Sequence, residues 1–194
     1  CQKLNTPVIS GNVSLYNETV LSDKRVNVYP TPIVVAVGVL EDVEKAIPSF
    51  YQKEGDLIAI VGQVDEKPNI SGSEYLQEVF GVVDVSDGGL ITALLEPAFK
   101  EENFLGLDLD ISTKYRPDFE LFDQLRSIVV ISFDEKDLLG LQEIAQQVGV
   151  GFKLVGKTKK EDNLSLKING EEVINTKISE LKEIYENTLA RLMR

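Results

Sequence analysis

The sequence predicts a mixed α/β fold in which layers of helix cover a sheet of mixed strand directions. Short apolar runs rich in β-branched residues, such as residues 33–40 and 127–133, have the length and composition of buried strands. Segments with helical spacing of apolar residues lie between strands, but the alternation is irregular, and some strands follow each other directly as hairpins. The chain has 194 residues, of which 43% are apolar, and a chain of this size can bury a substantial core.

The first 48 residues contain two predicted strands separated by a polar loop. Residues 6–10 form a short apolar run, and residues 33–40 have the continuous apolar character of a strand covered on both faces. Residues 11–32 are rich in Asn and Pro, which predicts mostly loop. A helical turn is expected over residues 41–46, and we place a domain boundary after Pro48.

Residues 49–194 are expected to form a self-contained α/β unit, because helix-start signals separate the strands. Ser73 and Asp134 stand where N-cap residues are expected, and Pro117 stands in the first turn of a helix. The predicted helices cover residues 73–80, 88–100, 117–125, 135–149 and 178–193, and the predicted strands cover residues 56–61, 82–85, 105–111, 127–133, 151–158 and 164–168, the last two as a hairpin. On the final helix, the side chains expected to face the core are Leu181, Ile184, Tyr185, Leu189 and Leu192.

Charge and composition argue against several classes of protein. The net charge of −12 argues against a nucleic-acid partner, since a phosphate backbone requires basic patches. It also argues against a complete phosphate-binding enzyme, because a phosphate site here would need loop amides, a metal ion or basic residues from elsewhere. The absence of His excludes His-dependent acid–base chemistry and His metal sites.

The cellular setting is predicted from what the sequence lacks. No apolar run reaches the roughly 20 residues of a membrane-spanning helix, so no membrane partner is expected. Cys1 is the single cysteine and no signal peptide is recognisable, which together fit a reducing cytoplasm. The chain opens on Cys1 instead of Met and runs directly into a predicted strand, from which we expect a segment of a longer protein.

The strongest candidate for chemistry is the segment Ser-Gly-Asn-Val-Ser-Leu-Tyr-Asn-Glu over residues 10–18. A strand delivers the chain to Gly11, where the missing Cβ lets a ligand approach the backbone. The amide oxygen of Asn12 suits Mg²⁺, and the hydroxyl of Ser14 can bond a phosphate or another polar group. The alternative is a turn in which Asn12 and Ser14 bond only local backbone groups, and spacing alone favours that alternative.

This segment, followed by Tyr-Pro-Thr-Pro and an apolar strand, resembles a signature of the formylglycinamide ribonucleotide amidotransferase (FGAM synthase) family. The resemblance places it at the end of the second of two related ATP-binding domains. In the family, the glycine contacts ATP, the asparagine ligates Mg²⁺ and the second serine contacts the ribonucleotide substrate. The resemblance therefore assigns these roles to Gly11, Asn12 and Ser14, and it makes the functional interpretation the favoured one.

A second motif, Val-Asp-Val-Ser-Asp-Gly-Gly-Leu over residues 83–90, joins a strand end to a helix start. Free amides at the helix start can hold an anion, or an aspartate can cap the helix, and the paired glycines allow close packing against the sheet. The motif resembles the Asp-x-Ser-Asp-Gly-Gly hallmark of the wider aminoimidazole ribonucleotide synthetase-like superfamily. Val83 stands where many members have His, and we therefore expect a structural, capping motif. Its members are Asp84, Asp87, Gly88 and Gly89.

One motif of the family is missing. The family's first half holds substrate with an acidic-Ser-Gln-acidic-Arg loop ahead of a strand, whereas residues 122–127 read Phe-Asp-Gln-Leu-Arg-Ser here. The Ser-Gln core is absent, so the resemblance implies the second, non-reacting copy of the domain. By the same resemblance, residues 1–48 end the second ATP-binding domain, and residues 49–194 form a three-layer α/β/α domain with partial similarity to ferredoxin-like topology.

The family reaction is the ATP-dependent conversion of the formylglycinamide amide to an amidine. The resemblance implies Mg²⁺ and ATP as ligands. It implies three partners: the remainder of the same synthetase subunit, a glutaminase subunit that supplies ammonia, and a small accessory subunit. The family's catalytic histidines lie in the first half, so no catalytic residue is expected in this chain, and the chain alone is expected to be inactive. The stop at Arg194 favours the small, multi-subunit form of the enzyme.

Two other hypotheses remain open. One is a piece of a related kinase or synthetase of the superfamily. The segment over residues 10–18 argues against it, because the wider superfamily shares the Asp-Gly-Gly motif but not that segment. The other is a non-catalytic module that retains the fold without a ligand, and substitution of Asn12 in a full-length enzyme distinguishes it.

Overall fold

A computed structural model gives the structure of the chain. It describes residues 6–13, 18–21, 24–27, 35, 37–62, 64, 88–100, 104–124 and 128–193. The chain divides into two compact units, Cys1–Ala46 and Ile47–Arg194. The boundary predicted after residue 48 lies close to this division, and the assignment of the two parts to particular family domains stays a prediction. The helix predicted over 73–80 and the strand over 82–85 lie outside the described residues.

The first unit contains a short hairpin. β1 (Glu18–Leu21) pairs antiparallel with β2 (Lys24–Asn27), where the sequence predicted loop. The strands predicted over 6–10 and 33–40 are not seen at their described positions, which have no regular secondary structure. Val37 and Val39 in the second of these segments are 83% and 94% exposed. Apolar β-branched residues form a strand only when a neighbouring strand pairs with them, and none does within the described part of this unit.

The second unit has six strands and four helices among its described residues. The strands are β3 (Leu57–Gly62), β4 (Gly106–Ile111), β5 (Ile128–Phe133), β6 (Gly151–Lys159), β7 (Leu164–Ile168) and β8 (Glu171–Thr176). The helices are α1 (Gly89–Leu95), α2 (Pro117–Phe122), α3 (Leu138–Val148) and α4 (Ile178–Leu192), with 3₁₀ turns at Glu96–Ala98 and Glu135–Asp137. All of these strands and helices except β8 were predicted, and the predicted end of α1 is instead a 3₁₀ turn.

All six strands belong to one mixed sheet in the order β5-β3-β6-β4-β7-β8. Neighbouring strands are antiparallel except β4 and β7, which are parallel with Leu109 opposite Leu166. The predicted hairpin of β6 and β7 is wrong, because β4 lies between them. β4 has one face of fully buried leucine and isoleucine side chains, and it takes a partner strand on each side. β7 forms its hairpin with β8, through a turn at Asn169 and Gly170 that both have positive φ.

Two connections between parallel strands pass over an intervening strand, and they determine on which face of the sheet each connecting helix lies. β3 and β4 are parallel and flank β6, and α1 lies in the connection between them. β5 and β6 are parallel and flank β3, and α3 connects them. The two pairs run in opposite directions, so right-handed crossovers place α1 and α3 on opposite faces of the sheet. The predicted mixed α/β fold is confirmed.

The core lies on the face of the sheet that α1 covers. Alternate residues of β3, β4 and β7 point into it, as the two-residue period of a strand requires. No residue of α3 belongs to this cluster in the described part of the chain, in agreement with its place on the other face. The fully buried side chains are Ile58, Leu90, Leu94, Leu107, Leu109, Ile111, Val155, Thr158, Leu164, Leu166 and Ile178.

Capping groups set the bounds of the later helices. Asp134 accepts a hydrogen bond from the backbone N–H of Lys136 at the 3₁₀ turn before α3, and Gly149 ends α3 with φ 71°. α4 begins at the fully buried Ile178. Ile184 and Tyr185, which were predicted to face the core, are both more than half exposed, although the Tyr185 ring lies 5.4 Å from that of Phe99 at the margin of the core. An apolar stripe gives the buried side of a helix only where a neighbouring surface covers it.

None of the helices in the described ranges combines the length and the apolar character that crossing a lipid bilayer requires.

Candidate functional site

Gly11 lies in an exposed segment without regular secondary structure. All residues from 6 to 13 are exposed, and a Cβ built on Gly11 would meet no atom within 4 Å. The backbone at Gly11 is therefore open to approach, which is the property that a ligand-contacting glycine requires.

Asn12 is exposed in the same segment. It makes no hydrogen bond to any described residue, so the alternative in which Asn12 bonds local backbone is not seen. Mg²⁺ takes about six oxygen ligands, and the described residues contain no group of three or more acidic, Cys or His side chains that could hold a metal. Asn12 therefore fits the role of one oxygen ligand to an ion whose other ligands are water, phosphate or another protein segment.

Gly88 and Gly89 form the start of α1 in the left-handed region. Gly88 is the N-cap residue with φ 78°, and Gly89 has φ 77°. A Cβ on Gly89 would lie 2.6 Å from the backbone of Phe122. The paired glycines were expected to allow close packing on the sheet, and the close neighbour is instead the end of α2. Gly89 thus serves the packing of two helices, whereas a Cβ on Gly88 would meet the Thr92 side chain within α1 itself.

Three predicted site residues lie outside the described residues. They are Ser14 in the first unit and Asp84 and Asp87 ahead of α1. Their expected roles, in substrate contact for Ser14, in helix capping for Asp87 and in the structural helix-start motif for Asp84, stay predictions.

The structure describes residues 122–124 of the stretch 122–127, where the family's substrate loop is missing. Asp123 is buried directly after α2, and the side-chain amide of Gln124 is buried with no hydrogen-bond partner among the described residues. Gln124 lies close in sequence to Phe122, against which Gly89 packs. Asp123 and the Gln124 amide are thus covered by protein, directly after the Phe122 backbone that contacts the start of α1.

A polar cavity that no sequence pattern predicted lies at the ends of β3, β4 and β7 in the six-stranded sheet. It has a volume of about 350 Å³, and we call it the polar cavity. Its lining residues are Val64, Ser112, Thr113, Lys114, Tyr115, Glu120, Lys153 and Asn169. The only signal that points to it is the Asn-Gly pair at 169–170, which is typical of a tight hairpin turn and so marks the end of β7.

The chain is similar to curated phosphoribosylformylglycinamidine synthase subunits called PurL. It is 33% identical to the PurL subunit of Aquifex aeolicus over an alignment of 225 positions, which covers 100% of this chain and 30% of the relative. It is 34% identical to the PurL subunit of Carboxydothermus hydrogenoformans, with 98% of this chain and 30% of the relative covered. The chain thus spans about three tenths of the length of these relatives. No protein-family model matches it.

Solved structures of PurL from Thermotoga maritima share the fold. One, named phosphoribosylformylglycinamidine synthase II, has a TM-score of 0.57 at 16% identity, with 72% of this chain and 28% of that chain covered. Another, PurL complexed with AMPPCP, has a TM-score of 0.58 at 17% identity with the same coverage. Similarity over the whole sequence and the shared fold together identify this chain as a relative of one part of the PurL subunit of phosphoribosylformylglycinamidine synthase.

Proposed function

We propose that this chain is the C-terminal part of the synthetase subunit of FGAM synthase. This enzyme is the ATP- and glutamine-dependent ligase that converts formylglycinamide ribonucleotide to its amidine in purine biosynthesis. Similarity to PurL over the whole chain supports the proposal. The T. maritima PurL is known in complexes with ATP, ADP and FGAR, and the same kinds of ligand are proposed for the enzyme that contains this chain.

Within that enzyme, the segment after residue 10 contributes to the nucleotide site. Gly11 lets ATP approach the backbone, Asn12 offers its amide oxygen to Mg²⁺, and Ser14 contacts the ribonucleotide. When bound, Mg²⁺ neutralises the charge of the ATP phosphates. The open amide of Asn12 is the observation that carries this proposal, because it is held by no group of its own chain in the described part. A neutral amide alone binds Mg²⁺ weakly, so the remaining ligands come from outside this segment.

The remainder of the subunit is the first partner that we propose. Val37 and Val39 have the pattern of a buried strand but are almost fully exposed in the first unit. Covering such side chains is favourable by roughly 25 cal/mol per Å² of apolar surface. The part of the relatives that this chain does not span supplies the surface that covers them, and it brings the catalytic histidines of the family. The chain alone is accordingly inactive.

The other partners are a glutaminase subunit and a small accessory subunit. One of the similar structures is the complex PurLQS of T. maritima, which shows that the T. maritima protein assembles with other subunits. We extend the same kind of assembly to the enzyme that contains this chain.

A hybrid enzyme tests the proposal. The chain replaces the matching part of A. aeolicus PurL, and FGAR-dependent ATP turnover is measured over a range of Mg²⁺ concentrations with the natural partner subunits present. We expect the hybrid to be active, and Asn12→Ala to lower its turnover by about tenfold or more and raise its Mg²⁺ requirement. Asn187→Ala, at an exposed asparagine on α4, is the matched control and leaves both unchanged.

Two outcomes decide against the proposal. An Asn12→Ala hybrid with unchanged turnover and Mg²⁺ dependence assigns a scaffold role to the segment. A hybrid that folds and assembles but turns over no ATP with FGAR places the chain in another branch of the superfamily.

A further inference from the structure

The polar cavity lies where three parallel strands end. Val64 follows β3, Ser112 follows β4, and Asn169 follows β7, while Lys153 lies near the start of β6 between them. Ligands of open α/β sheets bind preferentially outside the carboxyl ends of parallel strands. The volume of about 350 Å³ is within the range of small-molecule sites. The cavity is part of the second unit, and none of the roles proposed for Gly11, Asn12 and Ser14 involves it.

Hydrogen bonds among four of the lining residues, which we call the frame, hold part of the polar cavity in place. The backbone N–H of Thr113 donates to Asn169 Oδ1 at 2.8 Å, and Asn169 Nδ2 donates to the Thr113 carbonyl at 2.9 Å. The Thr113 hydroxyl donates to the buried carboxylate of Glu120 at 3.1 Å and accepts from the Tyr115 backbone N–H at 3.1 Å. Within the frame, the side-chain oxygens of Thr113 and Asn169 and Oε2 of Glu120 thus already accept hydrogen bonds.

Four side chains that line the polar cavity can still donate hydrogen bonds. The Lys153 ammonium donates to the Ser112 carbonyl, and its other N–H groups have no partner in the described ranges. The Lys114 ammonium lies 5.3 Å from the centroid of the Tyr115 ring and makes no ion pair with a described residue. The hydroxyls of Ser112 and Tyr115 make no hydrogen bond there either. The lining of the polar cavity therefore combines two ammonium groups and two hydroxyls with one buried carboxylate, that of Glu120, whose Oε2 already accepts from Thr113.

We propose that the polar cavity binds the phosphate group of a small phosphorylated molecule. A phosphate offers several acceptor oxygens and a double negative charge, which complements two ammonium groups and two hydroxyls. Lys153 is half-buried, so its charge is screened less than that of a surface lysine. The chain as a whole has a net charge of −12 and repels anions, so an anion is retained where two lysine ammonium groups lie close together and have no ion pair with any described residue.

Amide-resolved NMR on the 194-residue chain tests this site. Inorganic phosphate and ribose 5-phosphate are titrated separately, with acetate and sodium chloride at matched ionic strength as reference titrations. We expect saturable shifts of the Thr113, Tyr115 and Asn169 amide signals with both phosphates. Lys153→Gln and Lys114→Gln each weaken the apparent affinity by about tenfold, since each removes a charge-assisted hydrogen bond. Lys157→Gln, at an exposed position on β6, is the matched control and leaves the affinity unchanged.

Three results overturn the proposal. They are the absence of saturable shifts, equal shifts with acetate or chloride, and an unchanged affinity in the variant that lacks both lysine ammonium groups. Circular dichroism of the variants confirms that the fold is retained, which is expected because neither lysine is part of the core. The outcome is independent of the Asn12 hybrid experiment, since that experiment concerns the other unit.

Discussion

β3 and the segment over residues 35–40 have similar sequences and different structures. β3 reads Leu-Ile-Ala-Ile-Val-Gly and pairs with β5 and β6, with three consecutive residues buried. The described part of the second segment includes Val37-Gly38-Val39-Leu40, has no regular secondary structure and is exposed. Both segments have the β-branched, apolar character of a buried strand. The difference shows that a strand-forming sequence becomes a strand only when partner strands complete its hydrogen bonds and cover its side chains.

The same comparison indicates which of the two units contributes most of the free energy of unfolding. The second unit has a closed core in which the fully buried side chains come from β3, β4, β6, β7, α1 and α4. In the first unit, the described apolar side chains include many that are largely exposed. Burial of apolar surface is the main favourable term in folding, so cooperative unfolding of this chain is expected to report on the second unit.

The largest effect is expected from a leucine pair. Leu166 is 0% exposed in β7, and Leu40 is 58% exposed in the first unit. Leu166→Ala removes buried methyl groups and leaves a cavity, so it should lower the free energy of unfolding by about 2–5 kcal/mol. Leu40→Ala should change it by less than about 0.5 kcal/mol. Urea denaturation followed by circular dichroism measures both, and a comparable loss in the two variants would contradict the contrast between the units.

A glycine pair gives the next effect, within the second unit alone. Gly89→Ala places a Cβ 2.6 Å from the Phe122 backbone at a φ of 77°, and should cost about 1–3 kcal/mol. Gly140 lies inside α3 with no atom within 4 Å of an added Cβ. Gly140→Ala should therefore stabilise the unit by up to about 1 kcal/mol through helix propensity. Thermal unfolding measures both changes, and a tolerated Gly89→Ala would mean that α1 and the end of α2 can separate.

A smaller, pH-dependent effect is expected at the surface of the second unit. A hydrogen bond from Lys53 Nζ, 2.8 Å from Asp134 Oδ2, lowers the pKa of Asp134 from 3.8 to about 2. A lowered carboxyl pKa means that the ion pair stabilises the fold above about pH 4 and that this contribution is lost as the pH falls to about 2. Lys53→Met should be less stable than the parent at pH 5, and the difference should shrink as the pH falls through about 2. Lys160→Met, at an exposed turn, is the control, and urea midpoints measured across this range decide the matter.

Local signals predicted most of the second unit. Asp134, Pro117 and Gly149 mark helix ends by local chemistry, and the structure places a 3₁₀ turn, α2 and the end of α3 at these residues. Strand order was not predictable in the same way. β6 and β7 are neighbours in sequence and were assigned to one hairpin, but the buried face of β4 occupies the place between them. Such a choice depends on contacts between residues far apart in the chain.

The polar cavity shows that a binding site built from distant segments cannot be predicted from local sequence patterns either. Lys153, Asn169 and the pair of Thr113 and Glu120 come from three separate parts of the chain, and no spacing in the sequence connects these parts. Gly11 and Asn12, in contrast, are adjacent and belong to a continuous motif, so a resemblance could assign them. Their geometry in the structure is open, and it leaves their roles as a proposal.

The sequence by itself determined the fold class, most of the described elements of the second unit and the similarity to PurL, because each is encoded in local composition, capping residues or continuous motifs. Only the tertiary structure decided which strands pair, which glycine supports helix packing, and which donors meet in the polar cavity. The physical reason is that hydrogen-bond ladders and buried surfaces need partners from distant segments, and a sequence pattern states the need for a partner without stating which segment provides it.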